Sequence, residues 1–313
     1  MNPPIPIEKV PDISKQPGVV TPTQLPDPVF VMCHPMYIDN AIKNNPTMNE
    51  YADEPLDKDK FMAQWMKFYH VLAANSLVYL VSPLKGLQDQ TFVNSFVYLP
   101  NVKDRDVIVL SDFVGEGRDD EEEMAGLMLR ELGYEVIEPP FKFEGFPEMK
   151  WIDSAGVYLG GYGFRTDLRV YNWLKEKYGC NIIPIRETDE VLYHLDCQAF
   201  PIAKDSVLLC TEIMDKATVK QIEKVCNVIP VSKEDSYAGI CNCLQCEQAI
   251  YNGSSLKYMS KDDPDYQAMK AKDENLQAIC SELGLEITFF DLSELEKLGA
   301  KCSCLVTPLN VRF

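Results

Sequence analysis

Near its C-terminal end the chain reads Leu298-Gly299-Ala300-Lys301-Cys302-Ser303-Cys304-Leu305-Val306-Thr307-Pro308-Leu309, two thiols between a glycine-containing turn and a short apolar run. A thiolate is a strong nucleophile when a base and a polar pocket favour its ionised form. The candidate bases are few, because the chain holds only 3 histidines. His70 lies beside Phe68 and Tyr69 in helical spacing, which suits packing or a surface position. His34 ends an apolar run and precedes Pro35, which suits a loop. His194 stands in Tyr193-His194-Leu195-Asp196. Strand alternation would put His194 and Asp196 on one face. A general acid/base with a carboxylate beside it is what a thiol nucleophile requires. A bare His-x-Asp is an ordinary surface-strand pattern, and it gains weight only in company with Cys304.

Other residues join them as candidates. In Phe143-Glu144-Gly145 an acid precedes a flexible residue and could project into a cleft, although a surface turn is the plainer reading. Arg118 lies in a loop leading to the acidic start of a helix, a favourable arrangement in itself. Arg165 follows the glycine-rich Gly160-Gly161-Tyr162-Gly163, which lacks the spacing of a dinucleotide fingerprint. Cys241, Cys243 and Cys246 invite a metal reading, but zinc sites pair two such clusters or add histidines. A strand with buried thiols accounts for them more simply.

To share one pocket, residues this far apart must sit on a recurring framework. Residues 1–28 carry eight prolines and read as an extended N-terminal arm. From 29 to 313 the pattern is that of one α/β unit. Apolar runs at Val29–Cys33, Leu77–Val81, Val107–Leu110, Val157–Gly160, Asn181–Ile185, Asn227–Val231 and Glu286–Phe290 predict strands. Helical spacing predicts helices over Lys58–Ala74, Glu121–Leu132, Asp167–Tyr178, Lys216–Val225 and Asp265–Leu283. Strand pairs are expected at Tyr193–Pro201 with Ser206–Cys210, and at Ala238–Leu244 with Gln248–Ile250. A strand-pair, helix and strand unit thus recurs about five times without a residue-level repeat, which fits small modules arranged around a centre.

Composition narrows the function class. The formal charge of −18 argues against a nucleic-acid or acidic-membrane partner, each of which needs a clustered basic surface. No apolar run is long enough for a membrane span, and no basic-then-apolar leader opens the chain. A cytoplasmic protein is expected, with its 11 cysteines mostly reduced and buried.

With Cys304, His194, Asp196, Glu144 and Arg165 assembled, the chain resembles the guanidino-group-modifying superfamily of arginine deiminases, dimethylarginine dimethylaminohydrolases, amidinotransferases and arginine dihydrolases. The resemblance runs from about Val29 to Pro308. It implies a five-module α/β propeller, the pentein fold. It also implies that Cys304, rather than Cys302, is the nucleophile, that His194 with Asp196 is the acid/base pair, and that Glu144 binds a guanidinium. Phe143-Glu144-Gly145, Gly161-Tyr162-Gly163-Phe164-Arg165-Thr166 and Asn45-Pro46 resemble the arginine dihydrolase branch most. There Arg118 and Arg165 would hold the substrate carboxylate, with Asn45 and Asn94 as pocket asparagines. An aspartate in place of Asn94 only accepts hydrogen bonds, whereas an amide also donates and could hold a ureido product for a second hydrolysis. The expected substrate is therefore arginine or a related guanidino compound, with no metal or organic cofactor; a homo-oligomer is compatible with this reading. The chain departs from the family in carrying Pro147-Glu148 where Gly-Asp is usual, and Ser303 where several relatives have His.

Overall fold

The computed structural model describes residues 28–102 and 105–309, so the proline-rich arm over 1–28 lies outside it apart from Pro28. The element order is strand β1 (Val29–Cys33), helices α1 (Pro46–Glu50) and α2 (Lys58–Asn75), and strands β2 (Leu77–Val81), β3 (Phe96–Val102) and β4 (Arg105–Leu110). Helix α3 (Glu123–Glu131), β5 (Glu135–Ile137), α4 (Gly145–Glu148), β6 (Met149–Ile152), β7 (Val157–Tyr162), α5 (Leu168–Tyr178) and β8 (Ile182–Arg186) follow. Then come β9 (Ala199–Ala203), β10 (Ser206–Leu209), α6 (Lys216–Ile222), β11 (Asn227–Pro230) and α7 (Lys233–Tyr237). The chain closes with β12 (Cys243–Cys246), β13 (Ala249–Gly253), α8 (Tyr266–Leu283), β14 (Glu286–Phe290), α9 (Ser293–Glu296) and β15 (Thr307–Pro308).

These strands form five 3-stranded sheets among the described residues. In each, the first strand runs antiparallel to the second, and a helix crossover makes the third parallel to the second. The sheet holding β1 is completed from the far end of the chain. There β15 pairs antiparallel with β1, Phe30 facing Pro308 and Val31 facing Thr307.

Local chemistry explains the helices. Asp57 caps α2 by accepting from the Lys60 amide at 3.0 Å. The inward face of α2 is Phe61, Trp65, Phe68 and Leu72, spaced four, three and four residues apart and fully buried against Phe290 and Leu292. Asp167 caps α5, and Gly179 ends it in the left-handed conformation that glycine adopts without strain. No described helix is long and apolar enough to cross a membrane.

Two sequence expectations need correction. Tyr193–Pro201 is not one strand: a 3-10 turn spans Leu195–Cys197, and β9 begins only at Ala199. The turn is held by the Cys197 amide on His194 O at 3.1 Å and by the Leu195 amide on the buried Glu148 carboxylate at 3.2 Å. Ala238–Leu244 likewise divides. α7, capped by Ser232, ends just before it, 238–241 form a turn, and only from Cys243 does β12 pair with β13. Strand β6 was not foreseen, because a buried lysine interrupts its apolar pattern.

Gly145, directly after Glu144, has φ +55° and lies so close to β3 that a Cβ there would stand 2.8 Å from Asn94 O and 3.0 Å from the Phe96 carbonyl carbon. A side chain would thus meet both backbone strain and a clash. Gly145→Ala is expected to lower the unfolding free energy by roughly 2 kcal/mol or more. Urea denaturation checks this; a midpoint equal to that of the parent protein would refute it.

Candidate active site

A pocket of about 30 Å³ is walled by Asp89, Asn94, Arg118, Arg165, His194 and Cys304, with the Leu298–Ala300 turn closing one side. The polar groups come from five different connections. Asp89 and Asn94 precede β3, Arg118 follows β4, and Arg165 follows β7. His194 precedes β9, and Cys304 sits in a 3-10 turn just before β15. Loops at the ends of strands can bring side chains together while the sheets keep them rigid.

His194 Nε2 lies 2.8 Å from Glu144 Oε2. The other Glu144 oxygen accepts from the Val114 amide at 3.1 Å and from Arg165 Nη1 at 3.4 Å. Glu144 is fully buried. Burial alone would raise its pKa, but the hydrogen bond and charge of His194, together with Arg165 and Arg118, hold it down at about 2. Glu144 is therefore a fixed anion that orients the imidazole. The carboxylate beside His194 is Glu144 rather than Asp196, which corrects the pairing drawn from strand alternation. The reason is the 3-10 turn, which rotates Asp196 away from the pocket.

Asp196 instead supports the thiol from behind. It accepts from the Ser303 hydroxyl at 2.5 Å and from Asn242 Nδ2 at 3.3 Å. Asn242 Nδ2 also lies 3.5 Å from Cys304 Sγ, and Asn242 Oδ1 accepts from the Ser303 amide at 3.0 Å. One amide thus joins the nucleophile candidate, its neighbour and the buried acid. The Cys304 thiol is pushed up to about 11, by burial first and by the Asp196 charge second, while hydrogen bonds from Asn242 and Ser303 pull the other way. Cys302 does not reach the pocket; it is fully buried in the core around Trp65 and Phe290.

The remaining predicted residues are placed as follows. Arg118 is buried, doubly bonded to Glu121 Oε2 at 2.7 and 2.9 Å, and stacked 4.0 Å over Phe113. Arg165 is held over the Tyr193 ring and on the Asn44 carbonyl. Asn45 lines the pocket, but its amide is engaged at both ends, capping α1 through the Met48 amide at 2.9 Å and donating to Leu298 O at 3.1 Å. Asn94 is different: its Oδ1 is buried and has no hydrogen-bond partner among the described residues. The buried thiols of Cys241, Cys243 and Cys246 lie away from the pocket; Cys243 donates to Ile240 O at 3.1 Å.

Two residues escaped the sequence reading. Asp89, buried and bonded to Asn44 Nδ2 at 2.5 Å, is the carboxylate on the pocket wall among the described residues. It sits in a polar loop with no pattern to mark it. Asn242 was hidden inside a cysteine run. Glu148 and Glu187 both lie against Gly161, which leaves room for both carboxyls. Burial raises both acids.

Over residues 34–311 the chain matches the family model described as N,N dimethylarginine dimethylhydrolase, eukaryotic. The chain belongs to that family. It is also similar to the bifunctional arginine dihydrolase/ornithine cyclodeaminase AgrE of Nostoc sp., 28% identical over 285 residues, covering 88% of this chain and 37% of AgrE. The chain therefore spans little more than a third of that relative's length. The N(G),N(G)-dimethylarginine dimethylaminohydrolase of Mycobacterium tuberculosis is 22% identical over 90% of this chain and 85% of its own length. Among solved structures, the product-bound N-terminal domain of ArgZ, a cyanobacterial arginine dihydrolase, superimposes with TM-score 0.77 at 24% identity, over 90% of this chain and 97% of the domain. That likeness establishes a shared α/β fold.

Two outcomes follow from this geometry. Because the folded pKa of Glu144 is depressed, the stability it contributes is present above its ordinary value of 4.5 and is lost as pH falls through about 2. The stability gap between the parent protein and Glu144→Gln, followed by denaturation across pH 2–7, is expected to narrow on the acid side; a gap independent of pH would refute this. Asn242→Ala removes a donor to the thiol, so the apparent pKa of Cys304 is expected to rise by roughly one unit and alkylation at fixed pH to slow by about 10-fold. Iodoacetamide labelling of Cys304 against pH, read by mass spectrometry, checks it, and an unchanged profile would remove the role given to Asn242.

Proposed function

We propose that residues 29–313 form one catalytic unit, a five-module α/β propeller of pseudo-fivefold arrangement, which hydrolyses the guanidino group of arginine through Cys304. The single observation that carries this reading is the opposition of Cys304 and the Glu144-held His194 across a pocket that also presents two arginines and one carboxylate. An amino acid fits such a wall. Its carboxylate would meet Arg118 and Arg165, and its ammonium would meet Asp89. The guanidinium would then face Cys304, His194 and the unpartnered Asn94 Oδ1.

With its pKa raised to about 11 by burial and the Asp196 charge, the Cys304 thiol by itself favours the protonated form at neutral pH. A bound guanidinium supplies the positive charge that favours the thiolate, so ionisation is coupled to binding. The sulfur attacks the guanidinium carbon, and His194 passes a proton to the nitrogen that leaves as ammonia. His194 then takes a proton from water, which attacks the S-alkylthiouronium carbon. The C–S bond breaks and citrulline forms.

Asn94 can next donate its amide to the ureido oxygen, a contact an aspartate could not make. A second attack by Cys304 expels the other ammonia. Hydrolysis of the resulting thioester-like adduct releases carbon dioxide and leaves ornithine. Overall, one arginine and two waters give ornithine, two ammonia and carbon dioxide. The reading includes a cytoplasmic setting, supported by 11 free thiols.

A second reading keeps the same chemistry with a dimethylated guanidinium, dimethylamine leaving in place of ammonia. The family description favours it. Incubation of the purified protein with isotopically labelled arginine and dimethylarginine, scored for ornithine, citrulline, ammonia and dimethylamine, separates the two. Ornithine with two ammonia per arginine is the expected result; citrulline as the final product would remove the role of Asn94, and no turnover of either compound would overturn the assignment. Cys304→Ser is expected to abolish turnover, and Asn94→Asp to stop the reaction at citrulline. Both variants should unfold like the parent protein.

A further inference from the structure

Away from the substrate pocket, β3, β6, β9 and β15 each contribute to a second cavity of about 50 Å³. It is larger than the substrate pocket and shares no lining residue with it. Four different sheets supply these strands. The walls are largely aromatic, with Tyr98, Phe146, Trp151, Tyr158 and Phe200, and Pro308 joins them. Tyr98 and Trp151 are half-buried, which leaves the cavity within reach of solvent.

One charged side chain stands in this setting. Lys150 is 4% exposed, and its ammonium lies 3.8 Å from the centroid of the Phe146 ring. Among the described residues no carboxylate comes within ion-pair distance of it. Asp196 and Glu148, with the thiols of Cys304 and Cys197, act on it only at longer range; Asp196 is bonded to Ser303 and Asn242, and Glu148 to the Leu195 amide. An ammonium taken out of water without acceptors is strongly disfavoured, and a ring face replaces only part of its hydration. The other buried lysine among the described residues makes the contrast. Lys272 is fully buried, yet it donates to Asn252 Oδ1 and Gly253 O at 2.8 Å each and pairs with Asp273 at 2.5 Å. The fold satisfies one buried lysine completely and leaves the other facing a cavity.

We propose that this cavity is a binding site for a short-chain monocarboxylate, with the carboxylate on Lys150 Nζ and the alkyl chain against the aromatic walls. Charge selects an anion. The walls select one with an apolar body, since an inorganic anion would lose its hydration and gain one hydrogen-bond donor in return. The cavity is small, so the alkyl chain that suits it is short. Propionate fits that description. The site stands on the geometry of β6 and its neighbours and does not depend on the reaction assigned to Cys304.

The test is thermal denaturation of the full chain with increasing sodium propionate, against 1-propanol and sodium chloride at matched concentration. A saturable rise in Tm on the order of a few degrees is expected with propionate alone. The rise should vanish in Lys150→Met and persist in Arg165→Ala, which separates this cavity from the carboxylate-binding end of the substrate pocket. An equal response to 1-propanol or chloride would overturn the proposal. So would a response that survives in Lys150→Met or disappears in Arg165→Ala. Should Lys150→Met fail to fold, the comparison of propionate with 1-propanol in the parent protein and in Arg165→Ala decides the matter by itself.

Discussion

The pairing of β15 with β1 is the constraint on which the rest of this structure depends. Residues 307 and 308 add to a strand that begins at residue 29, so the two ends of the described chain are tied in one sheet. The Leu309 amide continues the tie with a bond of 2.8 Å to Val29 O. Closing so long a loop is entropically costly, and the return is spatial. Cys304, a few residues before β15, is delivered beside groups from the first two-thirds of the chain. Without that closure the thiol would have neither His194 nor the arginines across from it.

Around this closure the interior holds far more charge than an ordinary core. Glu144, Glu148, Glu187, Asp196, Arg118, Glu121 and Lys150 are all buried. Glu144, Glu148, Arg118 and Glu121 are each tied to a partner of opposite charge or to a backbone amide, and Asp196 to a hydroxyl and a side-chain amide. Glu144 serves His194, Arg165 and Val114 together, which is why its pKa is held down at about 2 despite complete burial. Burial raises Glu148 and Glu187 instead, which favours their neutral forms. The same dry surroundings raise the Cys304 thiol to about 11. On the function proposed above, a bound cation would favour its ionisation.

Much of the framework was legible in the sequence, and for a clear reason. α2, α5, α8, β1, β2 and β14 have strong apolar periodicity and caps within a few residues of their ends, so local physics decides them. The failures fall where a tertiary contact overrides local preference. The segment at 193–198 alternates like a strand, yet the carboxylate of Glu148 captures the Leu195 amide and the backbone closes into a turn. β6 was invisible because its central lysine answers to a cavity formed by four sheets, not to its neighbours in sequence.

The same division holds for the candidate site. Residue types alone determined which groups could act: a late thiol, one histidine with nearby acids, two arginines in glycine-containing loops, and a pocket amide. They also determined the α/β class, because alternating helices and short strands leave few other ways to bury both. Only the tertiary structure decided how those groups combine. It paired His194 with Glu144, turned Asp196 behind the thiol, engaged the amide of Asn45 in capping a helix, and brought in Asp89 and Asn242. Hydrogen-bond partners 107 residues apart, as in Ser303 and Asp196, or 253 apart, as in Asn45 and Leu298, leave no trace in local pattern, since their geometry exists only once the sheets have packed.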